Sequence, residues 1–159
     1  MCRWGDPGFG ALVRRGKQQD HRFDDRLVEA AADLIGTRWR PCPAAAWITC
    51  VPSRRRQTLV PDFARRLARR LGLPFVECIR KVRETEPQKT RANSFQQAQN
   101  LLGAFVVDQA TVRPEPVLLV DDMVDSKWTF TVAAALLRRA GSGPVHPFAL
   151  ADTSSEDND

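Results

Sequence analysis

Two adjacent carboxylates, Asp121 and Asp122, stand directly after the apolar run Val117-Leu118-Leu119-Val120, and Asp125, Ser126 and Thr129 follow within a few residues. Neighbouring carboxylates accept hydrogen bonds from a vicinal diol, directly or through a bound Mg²⁺. Hydroxyls and free backbone N–H groups at a helix start cradle a phosphate. Together these describe a ribose 5-phosphate site over Asp121, Asp122, Asp125, Ser126, Lys127, Trp128 and Thr129. If a reaction takes place there, Asp121 and Asp122 are its catalytic candidates and its Mg²⁺ ligands. The bland alternative is a solvated turn in which Asp and Ser cap a helix. Against it, an acid pair ending a buried strand needs a partner or a role.

A second group of chemistry-bearing residues is Ser53-Arg54-Arg55-Arg56, after the short apolar run Trp47 to Val51. Guanidinium groups so clustered grip a diphosphate or a nucleic-acid phosphate bidentately. Arg65, Arg66, Arg69 and Arg70 follow on a helix and read equally as a solvated face or as a nucleic-acid track. On single-stranded DNA, three or four engaged arginines would give a slope of roughly −2 to −3 in log K against log salt. A third basic stretch runs from Arg80 to Arg91 and carries Lys81, Arg83 and Lys89. Trp128 either stacks on a base or packs on its own helix. His21 and His146 have no nucleophile beside them in sequence and suggest no triad.

Strands alternating with helices must position these loops. Asp24 caps a helix whose Leu27, Val28, Ala31, Leu34 and Ile35 repeat at helical spacing up to Gly36. Strands are expected at 47–51, 75–79, 104–107, 117–120 and 145–150, and helices at 62–71, 93–102 and 129–140. Residues 84–92 read as a loop. This alternation implies an α/β domain, a mainly parallel twisted sheet flanked by helices, with ligands at the carboxyl ends of its strands. Residues 1–23 read as an irregular basic arm, 24–151 as the folded domain and 152–159 as a disordered acidic tail.

Composition narrows the partners. The 43% hydrophobic content of the 159 residues suffices for one core, while the longest apolar runs are strand-sized, too short for a membrane. The net charge of +5 includes Asp152, Glu156, Asp157 and Asp159 of the tail; without them it is +9. Such an excess points to an anionic partner: phosphate, nucleotide or nucleic acid. The cysteines at 2, 42, 50 and 78 form no CxxC pair, so they read as reduced thiols of a cytoplasmic protein rather than a zinc site. No apolar leader precedes the first helix.

The stretch Val117-Leu118-Leu119-Val120-Asp121-Asp122-Met123-Val124-Asp125-Ser126-Lys127-Trp128-Thr129 resembles the PRPP-binding motif of the type I phosphoribosyltransferases. It departs from that motif at Lys127, where the family usually has glycine. Glycine lets the loop close on the 5′-phosphate, so lysine here either resists closure or adds its own cation. The resemblance implies the type I phosphoribosyltransferase fold, a pyrophosphate contact at Ser53 to Arg56, and a mobile loop carrying Lys81, Arg83 and Lys89. That loop and Asn100-Leu101-Leu102-Gly103-Ala104-Phe105 are similar to the ComF-like branch of the family.

A narrower resemblance rests on Trp4-Gly5-Asp6-Pro7-Gly8-Phe9-Gly10, Val51-Pro52-Ser53-Arg54-Arg55 and Asp125-Ser126-Lys127-Trp128-Thr129. It is to the phosphoribosyltransferase-like domain fused to some bacterial RecQ-family DNA helicases. It implies an accessory module binding a ribose-phosphate or nucleic-acid phosphate, with single-stranded DNA and a helicase core as partners. No Walker motif occurs, so the chain carries no helicase motor. The alternative is an active Mg²⁺-dependent phosphoribosyltransferase that uses PRPP with an unidentified acceptor base.

Overall fold

The computed structural model of the chain describes residues 2–39, 44–53, 55–83, 103–125 and 127–153. Its centre is a four-stranded, all-parallel sheet in the order β1 (Cys2–Arg3), β6 (Val145–Asp152), β5 (Val117–Val124), β2 (Trp47–Cys50). Beyond β2 the sheet continues as a single parallel bridge between Ile48 and Phe75. A separate two-stranded antiparallel sheet pairs β3 (Ile79–Lys81) with β4 (Phe105–Val107).

The two-residue period of the strands sorts the core into two layers. Ile48, Cys50, Leu118, Val120, Phe148 and Leu150 face α1 (Phe9–Arg15), α2 (Asp25–Asp33) and α3 (Leu59–Leu71). Trp47, Val117, Leu119 and Ala149 face α4 (Trp128–Arg139) and the β3–β4 sheet. Val117, Leu118, Leu119 and Val120 are all fully enclosed, as a strand covered on both faces requires. Thr49, the polar residue in the buried stretch of β2, lies within hydrogen-bond distance of the Cys78 thiol at 3.5 Å.

Asp24 caps α2 as its sequence implies, its side chain accepting from the Arg26 N–H at 2.9 Å. Helix α3 begins at Leu59, three residues before the expected start, because Pro61 is tolerated in a first turn. The strand expected at 75–79 is a correction. Hydrogen bonds from Ile48 N–H to the Pro74 carbonyl and from Val76 N–H to the Ile48 carbonyl hold only Phe75 against β2, and regular pairing starts at Ile79.

The first 23 residues also differ from the irregular arm expected. β1 lies on β6, with Cys2 opposite Ala151 and Arg3 opposite Asp152. Helix α1 then leads into a π-helical turn, Gly16–Asp20. Gly16 is required by close approach, since a Cβ there would lie 2.8 Å from the Arg22 carbonyl oxygen and 2.9 Å from the Phe23 ring. The final strand runs through Asp152; the helix expected at 93–102, the loop at 84–92 and residues 154–159 lie outside the described residues. No described helix is long and apolar enough to cross a membrane.

Candidate functional site

β5 does not stop at Val120. It continues through Asp121, Asp122 and Met123 to Val124, so the acid pair occupies strand positions rather than a loop. Up to Val120 the side chains alternate between the two layers; beyond the acids the order is exchanged, Met123 packing against the α1–α3 layer and Val124 against the other. Asp121 and Asp122 both border a cavity of about 210 Å³ at the carboxyl ends of β2 and β5, lined also by Lys17, Ser53, Arg56, Lys81 and Thr129. This is the end of the sheet at which α/β folds bind ligands.

Asp122 is 9% exposed, and its Oδ2 lies 2.7 Å from Lys17 Nζ. The Lys17 and Asp122 side chains are 17% and 12% exposed, so this ion pair is largely withdrawn from water. Asp121 Oδ1 accepts the Asp122 N–H at 2.7 Å. Burial, first, and then the neighbouring Asp122 charge push the Asp121 carboxyl well above the ordinary carboxylate range. Ser53 Oγ accepts the Arg56 N–H at 3.3 Å, which folds the loop after β2 over the cavity. The Lys81 ammonium lies 5.9 Å from the centre of the Phe105 ring. Near the site, burial pushes the Cys50 and Cys78 thiols up, so neither offers a thiolate nucleophile.

The structure thus brings together Asp121, Asp122, Ser53, Arg56, Lys81 and Thr129 from the residues singled out by sequence. Asp125 and Lys127 are exposed, Trp128 is half-buried at the start of α4, and none of the three lines the cavity. Arg55 is exposed and borders a different cleft with His21, while Arg83 packs over Gly103. Arg54, Lys89 and Ser126 lie outside the described residues. Lys17 is the residue that sequence reasoning missed. It lies in the segment read as an arm, and its one local signal is the glycine before it.

Lys127 adopts φ 61° and ψ −12°, the left-handed conformation that glycine takes without strain. The lysine therefore has not prevented the glycine-type turn that leads into α4. Lys127→Gly is expected to raise stability by up to about 1 kcal/mol by relieving that strain, read from the denaturant midpoint. A fall in the midpoint would show that the lysine side chain holds the turn.

The arginines of α3 are committed largely to the fold. Arg66, its side chain 13% exposed, bonds Asp62 at 2.7 Å, Asp25 at 2.6 Å and the Phe23 carbonyl at 2.8 Å. Arg65 pairs with Glu77 at 3.1 Å and Arg70 with Glu29 at 2.8 Å. Only Arg69 of the four is exposed with no ion pair among the described residues. Arg66→Gln is expected to cost about 1–2 kcal/mol, because it leaves the carbonyl of the fully buried Phe23 without its donor. Thermal melting checks this; an unchanged midpoint would return Arg66 to the solvated surface.

A divalent cation fits the acid pair poorly. Lys17 Nζ already occupies Asp122 Oδ2 at 2.7 Å and the Asp122 N–H occupies Asp121 Oδ1, so a dication would have to share both carboxylates with donors already in place.

No model of a known protein family matches the sequence, and no curated protein matches it. Solved structures do match. Adenine phosphoribosyltransferase from Thermoanaerobacter pseudethanolicus aligns with TM-score 0.54 and 20% identity, over 80% of this chain and 67% of that one. Adenine phosphoribosyltransferase from Leishmania donovani aligns with TM-score 0.53 and 19% identity, over 81% and 54%. Glutamine phosphoribosylpyrophosphate amidotransferase from B. subtilis, complexed with ADP and GMP, gives TM-score 0.51 and 18% identity, over 78% and 26%. The chain thus spans about a quarter of the amidotransferase. It has the α/β fold of the type I phosphoribosyltransferases.

Proposed function

We propose that this chain binds a small ligand carrying a 5-phosphorylated ribose in the cavity between β2 and β5. The observation that carries the reading is the meeting of an acid pair, a hydroxyl-bearing helix start and three bases in one cavity at the carboxyl end of a parallel sheet. The ribose hydroxyls would donate to the acids, among them Asp122, which Lys17 Nζ holds in place through Oδ2. The 5-phosphate would take the Thr129 hydroxyl and the first N–H groups of α4, which no described side chain caps. Arg56 and Lys81 supply more positive charge than one phosphate needs, which favours a ligand with a second anionic group, such as the diphosphate of PRPP.

Transfer from such a ligand is the second reading. The carbon–oxygen bond to the diphosphate would break, the electron pair leaving with the diphosphate, while a nitrogen of the acceptor base bonds to the same ribose carbon and gives up its proton; the acids would stabilise the positive charge that develops on the ribose. A service role beside a RecQ-type helicase rests on the resemblance carried by Trp4 to Gly10, Val51 to Arg55 and Asp125 to Thr129. The internal pairing of the α3 arginines weighs against that helix as a nucleic-acid track.

Calorimetry in magnesium-containing buffer tests the reading. PRPP and ribose 5-phosphate should each bind saturably, and more tightly than a short 5′-phosphorylated single strand. A strand that binds while both sugar phosphates give no heat overturns it.

A further inference from the structure

We infer that Lys17 is a resident counter-cation of this cavity, so that the site takes a phosphorylated ribose without a divalent metal ion. The inference rests on the ribose-phosphate reading and adds to it the source of positive charge. A carboxylate beside anionic phosphate groups needs a cation between them, and a divalent metal is one way to supply it. Here the fold delivers an ammonium to the same carboxylate, Lys17 Nζ to Asp122 Oδ2 at 2.7 Å.

Several features keep that ammonium in place. Lys17 is the second residue of the π-helical turn, after Gly16, whose backbone is pressed against Arg22 and Phe23. An ion pair between Arg15 and Asp20, 2.9 Å apart, spans the turn. Phe23 is fully buried, with its ring edge-on to Phe63 at 5.8 Å, and so fixes the chain where the turn ends. The ion pair itself shows that the Asp122 side chain is directed toward the turn that carries Lys17. Lys17 also lines the cavity, and one of its three N–H donors satisfies Asp122; two remain for ligand oxygens. A dication approaching that carboxylate would meet the ammonium in a poorly hydrated setting, where like-charge repulsion is strong.

Titration of ribose 5-phosphate into the full chain, with EDTA and then with excess Mg²⁺, tests this. The wild type should bind with affinities that agree within about two-fold. Lys17→Met should weaken binding in EDTA by about ten-fold or more, with recovery in Mg²⁺. Lys17→Arg should retain the metal-independent behaviour. Because Lys17→Met leaves Asp122 without its partner, circular dichroism must show it folded. If it unfolds, the wild-type comparison with Lys17→Arg decides. Binding by the wild type only in Mg²⁺ overturns the inference and leaves the ribose-phosphate reading intact. Equal binding by Lys17→Met under both conditions also overturns it. No binding under either condition removes both.

Discussion

Asp121→Asn combined with Asp122→Asn should lower ribose 5-phosphate affinity by about a hundred-fold or more. A hydrogen bond from a ligand hydroxyl to a charged group is worth about 1.5–3 kcal/mol and one to a neutral group about 0.5–1.5 kcal/mol, so losing the pair of acceptors spans about two decades. Asparagine preserves the shape of each side chain and one acceptor oxygen, so the Asp122 N–H keeps its partner on residue 121. The single variants should separate in stability. Asp122→Asn removes the counter-charge of Lys17 in a buried pair and is expected to destabilise. Asp121→Asn should be neutral or stabilising at pH 7, because the Asp121 carboxyl is pushed up by burial.

The sign of the pH effect follows from that direction. The unfolded chain releases the Asp121 proton near 3.8, whereas the folded chain holds it to higher pH. The contribution of Asp121 to stability is therefore full below 3.8 and declines as pH rises toward the folded-state value. Melting measured across that window should show a decline in the parent that Asp121→Asn lacks. Undiminished sugar-phosphate binding by the double variant would remove the site assignment.

Phe63→Ala should cost about 3–5 kcal/mol, among the largest single losses the fold can suffer. Phe63 is fully buried on α3 between the sheet and Phe23, and truncation opens a cavity where α2 and α3 meet. At roughly 2–4 °C per kcal/mol for a chain of this size, the melting point should fall by about 10 °C. Val106→Ala, at a residue 45% exposed, provides the contrast and should change stability by less than about 0.5 kcal/mol. A Phe63 variant as stable as the Val106 variant would mean that the α1–α3 layer is not consolidated around that ring.

What could be read from sequence was local. The apolar run Val117 to Val120 announced a buried strand, the acids after it lie on a cavity at that strand's carboxyl end, and Asp24 with its periodic leucine, valine and alanine residues announced a capped helix. The pairing of Lys17 with Asp122 was not legible, because it joins distant segments and depends on which face of β5 each acid occupies. The same holds for β1, a strand of two residues amid glycine-rich turns, visible only through its register with β6. π-Helical turns have no residue pattern of their own, so the segment that carries Lys17 looked irregular. The strand expected at 75–79 failed for another reason: its apolar residues contact β2 for one bridge and then diverge to Glu77, which Arg65 holds. The arginines of α3 read equally as a solvated face or a nucleic-acid track, because sequence counts charges and does not show that carboxylate partners for three of them come from α2, from Asp62 and from residue 77.

The pairing of β1 with β6 also orders events during synthesis. On the ribosome, Cys2 and Arg3 emerge long before Ala151 and Asp152, the residues they must lie beside. Helix α1 and the turn bearing Lys17 can form early, but their berth against the sheet is completed only when the last strand is released. Nascent chains arrested before residue 145 should therefore leave the first twenty residues open to protease, and chains extended past residue 152 should protect them.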